Sequence, residues 1–185
     1  MALNQRMVAF LVAGLVSSLF SISAAASTII NFDSASPGSS SHEEAGFRFD
    51  PVRIVNGNCS PTSGAPCLAL NPNEQTTLTR IEGGVFTLES FQFDLLGNGA
   101  ELSVTPDNGS PIQIFDENTQ GFGRDGVVVS VAALLTNVTS ITFSNTGTGN
   151  IRIDDVSVSA VPLPAAAWLF LTGLVALFAA KNGHQ

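Results

Sequence analysis

The sequence predicts an all-β protein: an antiparallel β-sandwich, jelly-roll-like in strand number, set between two apolar end segments. Three observations lead there. Short apolar/polar alternations of period two recur through the middle of the chain, turn-forming clusters separate them, and no sustained 3.6-residue apolar stripe interrupts them. About eight to ten such strands with regular turn signals fit a sandwich better than any helical or α/β arrangement.

The elements follow in order. Strands are expected at 28–32, 46–49, 76–81, 86–88, 91–95, 100–104, 112–115, 126–131, 140–143 and 150–158. Phe86-Thr87-Leu88 and Phe91-Gln92-Phe93-Asp94-Leu95 alternate in phases offset by one residue around Glu89-Ser90, which predicts a bulge there. Gly83-Gly84, Gly97-Asn98-Gly99, Pro106-Asp107-Asn108-Gly109, Asp125-Gly126 and Gly147-Thr148-Gly149 supply the turns. A single helical turn around 131–135 is the one exception to the β pattern.

The ends are of a different kind. Arg6 precedes an apolar run over 7–22, and Ser23-Ala24-Ala25-Ala26 offers an Ala-x-Ala cleavage site before Ser27, so residues 1–26 read as a secretory signal peptide. At the other end, Val161-Pro162-Leu163-Pro164-Ala165 leads into an uncharged apolar run to Ala180, then Lys181. As a helix, 161–180 would extend about 30 Å, a membrane thickness. The expected organisation is a signal peptide (1–26), a β-sandwich ectodomain (27–160) and a C-terminal segment (161–185) with a transmembrane helix at about 165–180.

A short Pro-containing motif, one apolar helix and a terminal cation form the tripartite pattern of PEP-CTERM sorting signals, and Val161, Pro162, Leu163, Pro164 and Ala165 resemble their VPLPA variant, with Lys181 as the cation. The resemblance covers residues 161–181. It implies a Gram-negative envelope or extracellular-matrix protein, held transiently in the inner membrane and cleaved near the motif by an exosortase. Family tails end in a cluster of basic residues, whereas this one offers Lys181 alone. An unprocessed single-pass anchor is the alternative. A glycolipid-anchor signal fits poorly, because no polar spacer follows Ser157, Ser159 and Ala160.

All fifteen Asp and Glu lie in 27–160 against five Arg and no Lys, a formal charge of −10 for that stretch. A surface so acidic disfavours nucleic acid and anionic lipid. Cys59 and Cys67 are the only cysteines, and in an exported chain they are expected to form one structural disulfide.

The ectodomain also resembles the jelly-roll modules of PEP-CTERM and carbohydrate-binding proteins. Ile29-Ile30-Asn31-Phe32-Asp33 is similar to their opening strand and Ile151-Arg152-Ile153-Asp154-Asp155-Val156 to their closing one. The resemblance implies that these strands lie side by side and share a structural calcium ion, with Asp33 and Asp155 as ligands and Asp154 as substitute. Such a hard cation takes carboxylates and carbonyl oxygens.

Catalysis has little to work with. His42 sits in Gly38-Ser39-Ser40-Ser41-His42-Glu43-Glu44, a loop by composition, and no nucleophile elbow, phosphate loop or metal-spaced His/Cys set is present. The chain is expected not to be an enzyme. Polysaccharide binding is the rival function, in the form of a calcium-stabilised carbohydrate-binding module. Yet the chain has no Tyr, and its one Trp, Trp168, lies in the tail. Phe86, Phe91 and Phe93 read as core. Phe115 and Phe122 read either as a core residue and a loop plug or as a sugar platform flanked by Asp116, Glu117 and Arg124.

Overall fold

A computed structural model of the chain describes residues 26–59, 64–110, 112–116, 127–130 and 135–160. The expected signal peptide up to residue 25, the 161–165 motif, the apolar tail and Lys181 lie outside the described residues, as do Glu117, Phe122, Arg124 and residues 131–134 of the expected helical turn. Residues Ala26–Val161 form one compact unit.

Twelve strands are described: β1 (Ser27–Ile30), β2 (His42–Glu44), β3 (Phe47–Asp50), β4 (Ile54–Val55), β5 (Cys67–Leu70), β6 (Gln75–Arg80), β7 (Phe86–Leu96), β8 (Glu101–Pro106), β9 (Gln113–Asp116), β10 (Val127–Ser130), β11 (Ser140–Asn145) and β12 (Asn150–Ala160). Every pairing is antiparallel. They form two six-stranded sheets, here sheets A and B. Sheet A runs β10-β7-β12-β5-β4, with β1 also on β12; sheet B runs β2-β3-β6-β11-β8-β9.

Alternation is what drives the two sheets together. Phe86, Leu88, Phe91, Phe93 and Leu95 from β7 face Phe47, Phe49, Leu78, Leu102, Val104, Ile141 and Phe143 from sheet B in one continuous core. Phenylalanine does most of the filling. Phe91 packs edge-on against Phe143 at 5.5 Å and against Phe115 at 5.8 Å, and Phe47 edge-on against Phe86 at 5.3 Å, arrangements that suit the ring quadrupoles.

The bulge expected at Glu89-Ser90 is present, and it is one of a pair. Along β7–β12 the register slips between Asp154 and Ser157 and returns between Ser157 and Val158. The first slip inserts an extra residue in β12, where Asp155 takes φ 45°; the second inserts one in β7, at Glu89. The two cancel, so Phe91 and Phe93 before the irregularity and Phe86 and Leu88 after it all reach the core.

Three strands were not expected. His42 lies in β2, not in a loop, and β4 and β5 flank the disulfide. The Cys59–Cys67 bond is formed, with Cα atoms 5.9 Å apart. The hairpin from β11 to β12 closes tightly on the turn after β7: a Cβ on Gly147 would stand 2.0 Å from the Gly99 carbonyl oxygen, so only glycine fits. Asn145, 1% exposed, anchors this corner by donating to the Leu70 carbonyl at 3.0 Å and the Gly149 carbonyl at 2.7 Å.

Candidate functional site

The terminal strands do lie side by side. Ser27 to Ile30 of β1 pair with Ser159 to Val156 of β12. The same edge of β12 pairs further along with β5, from Leu68 opposite Ile153 to Leu70 opposite Ile151. Asp154 and Asp155 therefore sit where β5 hands over to β1, at the β12 bulge. Asp154 is fully buried, and its Oδ1 accepts the Asp155 N–H at 2.9 Å. Asp33, just past β1, is exposed and linked to Asn31, whose Nδ2 donates to it at 2.8 Å. Among the described residues no three His, Cys, Asp or Glu side chains gather closely enough to hold a metal ion. Side-chain carboxylates alone thus do not build a cage here; a hard cation beside Asp33 and Asp155 would draw on main-chain carbonyls.

Next to this junction, Glu44 does structural work that the sequence did not signal. Its carboxylate accepts the Phe32 N–H at 3.2 Å and the Asn31 N–H at 3.5 Å, and meets His42 Nε2 at 2.9 Å. The His42 ring is buried and packs at a tilt against Phe32, ring centroids 5.4 Å apart. Sheet B thereby grips the turn that follows β1 of sheet A. His42 is a fastening, held from both sides.

Phe115 is not a sugar platform. It is 7% exposed and packs against Phe91 and Phe93 at 5.8 and 5.3 Å. It follows the inward phase of β9, which leaves Ile112 and Ile114 exposed instead.

A cleft of about 550 Å³ opens beside β4, β5 and the start of β6. Pro51, Val52, Ile54 and Leu70 supply apolar wall, and Ser39, Arg53, Glu74 and Gln75 supply polar groups. Arg53 reaches across with Nε 3.1 and 3.0 Å from the two Glu74 oxygens. The Asn71 N–H also donates to Glu74, at 2.9 Å. Arg53 foremost, with Asn71, holds the Glu74 carboxyl below its ordinary value despite partial burial, and Glu74 raises Arg53 in return. The guanidinium is fixed by one edge and keeps donors for a visitor. Sequence reading missed this site; the only local signal was the turn Asn71-Pro72-Asn73-Glu74.

No family model matches the chain, and no curated protein matches it either. Solved structures do. One is a mutant of a family 29 carbohydrate-binding module, 16% identical, covering 74% of this chain and 93% of that one at a TM-score of 0.43. Another is a family 61 module in complex with beta-1,4-galactotriose, 15% identical, covering 71% and 94% at 0.38. A third is the N-terminal part of a Clostridium thermocellum endo-1,4-beta-D-xylanase complexed with xylohexaose, 14% identical, covering 72% of this chain but 28% of that one at 0.42. None reaches a TM-score of 0.5, so the ligands of these proteins say nothing of this chain's.

Proposed function

We propose that this chain is an exported, non-enzymatic envelope or extracellular-matrix protein, delivered through its C-terminal tail by an exosortase. The Val161-Pro162-Leu163-Pro164-Ala165 motif carries the reading. Its place in the sequence supports it: the motif directly follows Asn150–Ala160, the last described strand. The non-enzymatic part is supported by His42, the ectodomain's one histidine, whose ring is buried and tied to Glu44 rather than offered to a substrate. Intact mass of the cell-associated and secreted forms tests the reading. The mature protein is expected to begin at Ser27 and end within 161–165; a secreted form that retained Trp168 and Lys181 would overturn it.

A second reading, a calcium-stabilised carbohydrate-binding module, is supported by the Arg53–Glu74 cleft. Apolar wall beside a half-satisfied guanidinium suits a neutral saccharide, which the −10 ectodomain does not repel. The 27–160 fragment is expected to retain specific glycans on an array and to lose them on Arg53→Ala. Retention unchanged by that substitution would remove the cleft from consideration. For calcium at Asp33 and Asp155, with Asp154 as substitute, the measurement is the melting temperature with added calcium against sodium chloride of equal ionic strength, since salt alone relieves repulsion in so acidic a domain. A rise no greater than the matched salt gives would leave the acidic pair without an ion.

A further inference from the structure

Glu89 is aimed outward from sheet A by the β7 bulge, and three hydroxyls converge on it. Its Oε2 accepts from Ser27 Oγ at 2.6 Å and from Ser157 Oγ at 3.1 Å, and those two serine oxygens lie 2.9 Å apart. With Ser159, which stands opposite Ser27 in the β1–β12 register, these hydroxyls, Ser27 foremost, hold the Glu89 carboxyl below its ordinary value against a smaller opposing effect of burial. Among the described residues, what Glu89 lacks is a cation. Glu43, Glu44 and Glu74 pair with Arg48, His42 and Arg53, while among the described residues no Arg or His pairs with Glu89.

We propose that export supplies that cation: signal-peptide removal creates an α-ammonium on Ser27 that pairs with Glu89 and fastens β1 to the sheet. The inference rests on cleavage between Ala26 and Ser27. That hydrolysis breaks the peptide C–N bond; the water oxygen goes to the Ala26 carbonyl carbon and hydrogen to the Ser27 nitrogen. The resulting amine takes up a further proton below about pH 8. Before cleavage the same nitrogen is a neutral amide. Three bonds separate the Ser27 nitrogen from its Oγ, so it stands within about 6 Å of the Glu89 carboxylate, close enough for each charge to stabilise the other.

The surroundings permit this. β1 presents Ser27 and Ile29 on this face, and β12 presents Ser157 and Ser159. β7 itself adds Thr87 and Gln92, and β10 beyond it, Val127–Ser130, has no titratable residue. Along β12 the titratable residues next in sequence are Asp154 and Asp155 at the bulge, and their carboxylates also favour a cation. The α-amino group is thus raised above its unfolded value of about 7.7–8.0. Its contribution is fully present below that value and is lost as pH rises through the folded one. The Glu89 contribution is present above the usual glutamate range and is lost as pH falls through its lowered value. The pair acts between about pH 5 and pH 8.

The whole described core lies inside the compact unit Ala26–Val161, so a chain of residues 27–160 prepared with a free Ser27 amine folds as the test object. Its α-amino pKa is read from the pH dependence of acylation. The expected result is a value above 8 that Glu89→Gln returns to the ordinary range, and a melting temperature about 2–3 °C above the N-acetylated chain at pH 7, a gap that closes above pH 10. The acetylated chain keeps Glu89 intact, so it remains informative should the glutamine variant fold poorly. Equal α-amino pKa with and without Glu89, or equal melting of the free and acetylated chains, would overturn the pair. An exported form beginning at any other residue would overturn it independently, by removing the cation.

Discussion

The two sheets share one core and differ completely on their outer faces. Sheet B turns a field of hydroxyls outward: Thr77, Thr79, Thr142, Ser144 and Thr105 are all partly exposed, and Thr77 and Thr142 touch at 3.2 Å. Sheet A turns out Asp94, Arg152 and Asp154, yet these are 1%, 8% and 0% exposed. Arg152 lies opposite Asp94 on β7 and Ala69 on β5, and its Nε donates to the Gly57 carbonyl at 3.3 Å. The segment between β4 and Cys59, which leads into the disulfide, therefore reaches this face at Gly57. Covering a charged face is costly unless the charges are matched, and here one pair is. Sheet B meets water with hydroxyls and the exposed Arg48–Glu43 pair; sheet A withdraws its charges from water.

Breaking that hidden pair is expected to cost most. Burial pulls the Arg152 guanidinium below its ordinary value, and the charge of Asp94 opposes the pull, so the arginine is held by its partner against desolvation. Arg152→Ala leaves Asp94 buried without its cation and should lower unfolding free energy by about 3 kcal/mol in denaturant titration. Thr142→Ala on the other sheet should change it by less than about 0.5 kcal/mol. Equal effects would mean that the outer face of sheet A is wet and the contrast false.

The loop itself comes second. Cys67→Ser frees a loop of eight-residue separation, and the chain-entropy model gives a loss of about 2–3 kcal/mol with the fold retained. If the loop is the cover, its removal also wets Arg152. The double variant Cys67→Ser, Arg152→Ala should then lose less than the sum of the single losses, as coupled neighbours do. Additivity within about 0.5 kcal/mol would assign the loop no part in covering the sheet.

What the sequence could reveal divides along the same line. Strands with one wet and one dry face alternate visibly, so β6, β7, β11 and β12 were legible, as was the slip at Glu89. Cys67–Leu70 is buried on both faces, so β5 carries no alternation to read. His42-Glu43-Glu44 is wholly polar, and its strand exists because Glu44 and His42 fasten the turn after β1. Period two sets Asp94, Arg152 and Asp154 opposite in phase to the core residues Phe93, Ile151 and Ile153, but nothing local says that a segment 95 residues from Arg152 will reach it. The same holds for the cleft, where Arg53 and Glu74 meet across 21 residues. Phe115 was ambiguous for another reason: a lone aromatic in a four-residue edge strand has too few neighbours to fix its phase.

The smallest expected effect runs in the stabilising direction and tests the inner face of sheet B. Thr76 points inward beside Phe143, its neighbour in the β6–β11 register, and is fully buried. Its Oγ1 has no hydrogen-bond partner among the described residues. Its neighbour Thr77, one residue on, faces out and has one. A buried hydroxyl that has surrendered water without finding a protein partner is a net cost, of about 1 kcal/mol when replaced by a methyl of the same shape. Thr76→Val should therefore raise stability by about 1 kcal/mol, seen as a higher denaturant midpoint at unchanged m-value. Thr77→Val, the same chemical change on the wet face, gives up the Thr142 contact and uncovers no hidden penalty, so it should leave stability unchanged or slightly lower. A gain at Thr77 equal to that at Thr76 would reduce both to the β-propensity of valine. A loss at Thr76 would mean that its hydroxyl is bonded after all, and that the core of sheet B is less dry than its phenylalanines make it.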